Sequence, residues 1–517
     1  MNTKFFLIVL LFAASVSFFS SCDVKRSSNT GWDYNDEKTG GFEYVFYEEQ
    51  ETGPGLVLIE GGTFSMGRVE QDVLYDWSAF PKRVTVSSFY MDETEVTNVN
   101  YREYLFWLRR VFIDYPEVYK MALPDTLVWR SKLAFNEPYV ELYFRHPAYQ
   151  DYPVVGVNWL QASDYCAWRT DRVNELIMVR EGLLYMDPTG QSGEENFNTE
   201  SYLAGQYEGA VRDQMPDYDP NNEYRKVRME DGIFLPKYRL PTEAEWEFAS
   251  LGLVGNMLAD ERIFSEKIYP WNGHYIRVDD RSGFDTKDIG QIRANTMRGR
   301  GDYMGMAGAL NDHSDITSNV KEYWPNDYGL YCMAGNVNEW VMDVFRPLTF
   351  EDNDDFRPFR GNIYKTQERD DEGNIAEKDS LGAIRYRNVS DDEAFNRRNY
   401  NTADNINYLD GDFESSLDYK NMDEASKENK DNTNSKRMYN SGKPQVGENG
   451  KPTYRGGVGM QTMIDNRQRV FKGGGWRDRA YWMSPGTRRY LDQSQARPDL
   501  GFRCAMHRVG GSQSMGQ

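Results

Sequence analysis

Apolar and polar positions alternate along this chain in blocks of different period, and each block predicts its own element. After Lys4 an apolar stretch runs from Phe5 to Phe19 and stops at Ser20-Ser21-Cys22. A cationic end, a short apolar run and small residues describe a secretory signal, and the run is short for a membrane span. From Asp23 to Gln50 the composition is polar, rich in Ser, Asn, Gly and Glu, and reads as a tether. Its STGW-like and GGFEY fragments are candidates for local docking. LVLIE, from Leu56, is a short apolar strand closed by Gly61-Gly62, and RVTVSSFYM (Arg83 to Met91) alternates at period two. The two predict a strand pair joined by a tight turn.

Beyond these strands the period lengthens to that of a helix. Thr97 is a good N-cap for a helix that buries Tyr101, Tyr104, Leu105 and Leu108. A second helix is predicted from about Leu160, carrying Tyr165, Cys166, Trp168 and Val173 near the 3.6 period. Pro241, Thr242 and Glu245 form a capping box for a third. Its Trp246 and Ala249 are expected to face inward and its glutamates outward. Capping and a solvated face then account for Glu243, Glu245 and Glu247 without catalysis.

Two segments break this pattern, at about 182–236 and 346–455. Both are charged and poor in apolar residues, with runs such as Asp352 to Asp355 and Lys427 to Lys436, so little burial offsets chain entropy. Most of the second is expected to stay mobile until a partner orders it. The predicted organisation is a signal at 1–21, a tether at 22–51, one domain at 52–509 with these two insertions, and a tail at 510–517. The net charge is −21, which excludes nucleic acid as an expected partner, because phosphate backbones require a basic footprint.

Four motifs carry chemistry in this order: GGTFSMG (Gly61 to Gly67), RLPTEAEWEFA (Arg239 to Ala249), GLYCMAGNVNEWVMD (Gly329 to Asp343), and KGGGW with GFRCA (Lys472 to Trp476, Gly501 to Ala505). Together they resemble the formylglycine-generating-enzyme, or sulfatase-modifying-factor, family. The resemblance implies an α+β fold related to C-type lectins, with short strands, few helices and many loops. It also implies copper held by two thiols just after the KGGS-type loop. Here that loop reads WRDRAYWM, with Asp478 and Met483 where the thiols belong. An aspartate and a thioether cannot reproduce a soft dithiolate site, so no copper is expected. Nor is iron: His146, His274, His313 and His507 are not at ligand spacing with one another.

The remaining site expectations follow from the same resemblance. The family joins a cysteine of its YCxW segment to the one in GFRCA, which implies a disulfide between Cys166 and Cys504, the alternative being two buried thiols. Cys332 is left as a small buried apolar side chain. Structural calcium is implied at loops matching ANT and AGNVNEW. Asn295 and Thr296, with Asp312 or Asp315, would form one set, and Glu339 with the carbonyls of Gly335 and Val337 another. Cys332 departs from the Asn or Asp usual there. Arg477, Arg479, Arg488, Arg489 and Arg503 either line an anion-accepting groove or make structural salt bridges.

The N-terminus resembles a bacterial lipobox, cleaved before Cys22 and acylated on its sulfur, although Phe19 departs from the usual Leu. An ordinary secretory signal is the alternative. With the acidic insertions, MDETEVTN (Met91 to Asn98) and the missing thiols, the chain resembles the gliding-motility lipoproteins of Bacteroidetes. That likeness implies an outer-membrane lipoprotein on the periplasmic face, partnered by other lipoproteins and periplasmic proteins of the type IX secretion machinery. The expected function is a non-enzymatic scaffold. The alternatives are a metal-dependent oxidase or transferase, and a module that binds glycans or peptidoglycan.

Overall fold

The computed structural model describes residues 26–68, 78–209, 211–212, 215–257, 267–279, 286–297, 312, 314–346, 359, 361, 365–389, 445–446, 452–453 and 467–510. The signal, the runs Asp352 to Asp355 and Lys427 to Lys436, His313, Cys22 and the tail after Gly510 lie outside the described residues. The chain divides into two compact units, one built from residues 1–49, 177–186 and 210–234, the other from the rest.

The two main sheets and a ribbon of the larger unit are built, among the described residues, from β1 (Leu56–Ile59), β2 (Gly62–Met66), β3 (Lys82–Val86), β4 (Phe89–Asp92), β5 (Tyr238–Arg239), β6 (Asn338–Val344), β7 (Gln468–Lys472), β8 (Arg489–Asp492), β9 (Leu500–Gly501) and β10 (Ala505–His507). One sheet has the order β1-β4-β10-β5 and a second β8-β7-β6-β9, with β9 parallel to β6; β2 and β3 form a separate ribbon. RVTVSSFYM is therefore two strands. Val84 and Val86 pair with β2 in the ribbon, whereas Phe89 and Met91 pair with β1 in the first sheet. The split falls at Ser87-Ser88, where Gly61 crosses so closely that a Cβ would lie 2.3 Å from Val86 O. Gly61 N–H donates to Ser88 Oγ at 3.0 Å, fixing the crossing.

Helix α1 (Asn98–Val111) starts as its sequence predicts, with Asn100 N–H donating to Thr97 Oγ1 at 3.3 Å. Helix α2 (Trp159–Arg180) begins at Asn158, whose Oδ1 accepts from Gln161 N while Gln161 Oε1 accepts from Asn158 N. Helix α3 (Glu243–Met257) has the capping box: Thr242 Oγ1 accepts from Glu245 N at 3.2 Å, and Glu245 Oε2 from Thr242 N at 2.9 Å. Its second turn packs Trp246, Phe248 and Ala249 into a core with Ile59, Phe64, Val84, Met91, Val341 and Val470.

The glutamates of α3 do not face outward as the periodicity suggests. Glu243, Glu245 and Glu247 are all buried. Each meets a cation brought from elsewhere in the chain: Glu245 receives Arg239, and Glu243 and Glu247 share Lys472. Helical periodicity locates a polar stripe, but a stripe facing cationic side chains can be as dry as an apolar one.

The insertions also bury more than their composition suggests. Phe197, Tyr202 and Tyr207 are buried, and the short helix Thr199–Leu203 is capped by Asn198. Part of the second insertion folds against this segment: Asn196 Nδ2 donates to Leu381 O at 2.7 Å and Gln206 Nε2 to Ala376 O at 3.0 Å.

The smaller unit joins the leader to the first insertion. Arg225 forks onto Asp231 at 2.7 and 2.6 Å, and its Nε donates to Glu43 Oε1 at 2.9 Å. Gly41 lies so near Tyr218 that a Cβ would sit 2.0 Å from its carbonyl oxygen. The segment read as a tether is thus folded from Arg26 to Glu49. No helix among the described residues is long and apolar enough to cross a membrane.

Candidate functional site

The loop after β7 is positioned by glycines and then by charge. Gly473 and Gly474 have φ of 98° and 70°, conformations that suit glycine. A Cβ on Gly473 would press on the Trp246 ring at 3.2 Å, so its absence lets α3 pack against the loop. The chain then turns at Gly475, and Asp478 N–H donates to Gly475 O at 2.8 Å.

Asp478 is fully engaged inside this turn. Its carboxylate accepts from Gly475 N at 2.9 Å, Asn338 Nδ2 at 2.9 Å, and both terminal nitrogens of Arg489 at 2.8 and 2.7 Å. Burial by itself would raise its pKa. The hydrogen bonds and charge of Arg489, with those from Asn338 and Gly475, outweigh burial and hold the carboxyl below its usual range. Arg489 is in turn sandwiched by Phe471 and Trp482, 4.9 and 4.4 Å from its guanidinium carbon. Asp478 O accepts from Thr296 Oγ1 at 2.6 Å and Met297 N at 3.0 Å. Met483 has no exposure and packs with Tyr269, Ala294 and Ala334. Of the two residues that the resemblance sets where thiols would stand, Asp478 is therefore a salt-bridged strut and Met483 a core residue.

Of the five arginines, three are spent on carboxylates. Arg488 clamps Glu243 at 2.6 and 2.7 Å, Arg489 holds Asp478, and Arg503 clamps Glu339 at 2.6 Å from both Nε and Nη2. Arg477 and Arg479 stay exposed, with Arg477 5.5 Å from the Trp476 ring. The five do not make one anion-accepting groove.

The two candidate calcium sets fare differently. Glu339, expected as a ligand with Gly335 and Val337, is a counter-ion instead, because its oxygens take Arg503 and, at 2.7 Å, Trp246 Nε1. Gly335, with φ of 79°, donates to Gly473 O at 3.1 Å, and Val337 N–H to Glu95 Oε1 at 3.4 Å. That set does not fit a hard cation, since its only carboxylate is already neutralised. Asn295, Thr296 and Asp312 do converge. Asp312 accepts from Thr296 N at 3.2 Å, and Asn295 Nδ2 donates to Ile316 O at 2.7 Å. Asp315 is exposed. No group of three or more His, Cys, Asp or Glu able to hold a metal ion occurs among the described residues.

Cys166 and Cys504 meet as buried thiols, with sulfurs 3.3 Å apart. Cys504 N–H donates to Asp92 Oδ2 at 2.8 Å, and Arg169 pairs with the same oxygen. Burial, with the neighbouring Cys166, pushes the Cys504 thiol well up. Cys332 has φ of 53° and is buried beside Asn336; burial and the Glu95 carboxylate raise its thiol far above the reactive range.

Sequence reasoning missed Glu95 and Lys472. Glu95 sits beneath the AGNVNEW turn, accepting from Asn336 Nδ2 at 2.9 and 3.2 Å, with no cation in direct contact among the described residues. Burial first, then the Glu339 carboxylate, push its pKa well above normal, against a smaller opposing pull from Arg503. A carboxylate between strand residue Met91 and the buried Val96 was the available signal. For Lys472 it was a lysine directly following the apolar pair Val470-Phe471 of β7.

The sequence itself places the chain in a known family. The profile of the sulfatase-modifying factor enzyme 1-like domain matches residues 41–388, and the chain belongs to that family. It is similar to the mouse formylglycine-generating enzyme, 23% identical over 326 residues, covering 57% of this chain and 63% of that protein. The Streptomyces coelicolor formylglycine-generating enzyme is 33% identical over 137 residues, 26% of this chain and 36% of the relative. The chain thus spans less than two thirds of each of these. Mouse inactive C-alpha-formylglycine-generating enzyme 2 is 24% identical over 332 residues, 60% of this chain and 73% of that protein. The family therefore contains members described as active and as inactive.

Two predictions come from the buried charges. Arg503→Met strands the Glu339 carboxylate, and breaking one side of a fully buried pair should cost about 3–5 kcal/mol, read as a lower urea midpoint at unchanged slope. Glu95→Gln tests pH linkage. With its folded pKa raised above an unfolded value of about 4.3, native Glu95 retains its proton longer, so its contribution is full below that value. It is lost as pH rises through the folded pKa. Urea unfolding at pH 4, 6 and 8 should show Glu95→Gln gaining on the parent with rising pH; a constant offset would contradict the assignment.

Proposed function

We propose that this chain is a catalytically vacant member of its family, used as a lipid-anchored scaffold of the type IX secretion and gliding machinery. The observation that carries this reading is the fate of the two thiol positions: Asp478 is spent on Arg489, Asn338 and Gly475, and Met483 is sealed in an apolar cluster. Neither leaves a group to hold soft copper or activate oxygen. A relative described as inactive supplies precedent within the family. The likeness to the gliding lipoproteins GldJ and GldK rests on the leader, MDETEVTN, the acidic insertions and the missing thiols, and the choice of the GldJ type on the leader and GLVLIEGGTFSMG (Gly55 to Gly67). In this reading Cys22 carries the lipid, the protein sits on the periplasmic face of the outer membrane, and its partners are other envelope lipoproteins and periplasmic proteins. Calcium is proposed as a structural ion at Asn295, Thr296 and Asp312 only, and the thiols Cys166 and Cys504 as a disulfide in an oxidising compartment.

A glycan-binding reading draws on one observation, with the family's proposed relation to C-type lectins behind it. Trp271, Trp324, Arg293 and Asn326 line a small surface cleft that opens to solvent. Cosedimentation with purified peptidoglycan tests it: retention lost in Trp271→Ala with Trp324→Ala would favour this reading, and no retention of the parent chain would remove it.

For the scaffold, Cys22→Ala should move the protein from membrane to soluble periplasm and stop secretion of cargo, scored by fractionation and culture supernatants. Normal secretion from that strain counts against the proposal. Elemental analysis of the purified protein separates it from an enzyme, since stoichiometric copper or iron would favour an oxidase or transferase.

A further inference from the structure

The leader holds an ordered strip of aromatic rings that face water. Its chain start doubles back: Arg26 bridges Asp33 in antiparallel fashion, Arg26 Nε lies 2.7 Å from Asp33 Oδ1, and Ser27 N–H donates to Trp32 O at 2.8 Å. Tyr34 then stacks on Tyr44 at 5.3 Å and 4°, Phe42 leans on Tyr34 at 5.3 Å, and Phe46 meets Tyr44 edge-on at 5.4 Å. Phe42, Tyr34, Tyr44 and Phe46 thus form one continuous run of ring contacts. Trp32, Phe42 and Phe46 nevertheless remain 59%, 66% and 60% exposed. Exposed rings grouped in this way mark an interaction surface rather than scattered surface residues.

We infer that this strip is a platform that lies on the bilayer holding the Cys22 anchor. The inference rests on the proposed acylation of Cys22 and adds a second, non-covalent contact to it. Cys22 stands four residues before Arg26, and four residues span at most about 14 Å. The Arg26 bridge and the Ser27 bond then hold that end of the chain beside Trp32. A lipid on Cys22 therefore places the aromatic strip within reach of the headgroup layer. Amphipathic aromatic rings favour that layer, where one edge is wet and the other apolar. The strip's neighbours are acidic rather than basic, so attraction to anionic lipid is not what the surface offers. The lipid holds the protein to the membrane, and the rings fix how the leader lies on it.

Flotation with zwitterionic phosphatidylcholine–phosphatidylethanolamine vesicles tests this without the lipid, using the full chain after its signal with Cys22→Ser. That protein should float with the vesicles, and partitioning should change little between low and high salt. The triple variant Trp32→Ala, Phe42→Ala, Phe46→Ala should reduce partitioning at least about tenfold. Its circular dichroism and unfolding midpoint should match the parent, because the altered side chains are largely exposed. A parent that does not float, or a triple variant that floats equally well, overturns the platform. A strip that instead captures a protein leaves the vesicles unbound and fails by the same measurement. Acylation is read separately, from the mass of protein purified from its native membrane. An unmodified Cys22 sinks the anchor reading, whereas vesicle binding lost only in the triple variant still supports the platform.

Discussion

Everything in the larger unit depends on keeping buried charges paired across long stretches of chain. Lys472, at the end of β7, has no exposed side-chain surface and sits between Glu247 at 2.6 Å and Glu243 at 3.3 Å on α3. Glu243 also takes Arg488, which donates from its other side to Ser78 O and Arg346 O. Glu339 on β6 takes Arg503, just before β10. An isolated buried charge is costly enough that it would neutralise or bring in water, so these elements are stable only when all are docked together. The carboxylates respond according to their company. Burial raises both Glu243 and Glu247, but two cations bring Glu243 below its usual range, whereas Glu247, beside the shared Lys472, stays above it.

The same requirement gives the loop after β7 its shape. Lys472 fixes the loop's first residue, Gly473 admits the Trp246 ring, and Gly335 reaches back to Gly473 O at 3.1 Å. None of these contacts involves a thiol. Asp478 adds an ionic tie to Arg489 on β8, and Asn338 on β6 bonds both residues. Asp478 therefore links β6 and β8, the two strands that flank β7 in one sheet, through a side chain.

Two helix caps were legible because their signals are local: Thr97, and Thr242 with Glu245, each bond within one turn, whereas the Asn158–Gln161 cap went unread and that helix was placed by its period alone. The family motifs were legible because their order is specific. The paired thiols Cys166 and Cys504 came from resemblance, since 338 residues separate them and no spacing rule connects them. The orientation of Glu243, Glu245 and Glu247 was illegible, because their cations arise at Arg239, Lys472 and Arg488. Periodicity reports which residues share a face, while the partner of that face is set by topology. The same holds for Phe197 and Tyr202, buried inside a segment whose average composition reads as solvated.

A consequence follows for where any binding could occur. Asp478 and Met483 are both closed, the first by four hydrogen bonds to its carboxylate and the second by apolar packing. Among what the loop offers to solvent are Arg477, Arg479 and parts of Trp476, Tyr481 and Trp482; the Trp476 ring stacks at 5.9 Å on the buried Trp129 while its Nε1 donates to Pro498 O at 3.1 Å. A side chain locked by stacking and a hydrogen bond loses little conformational entropy on contact, which is the property of an anchor at an interface. The interior of this loop is a support, and what the loop presents to a partner is the surface that the support holds in place.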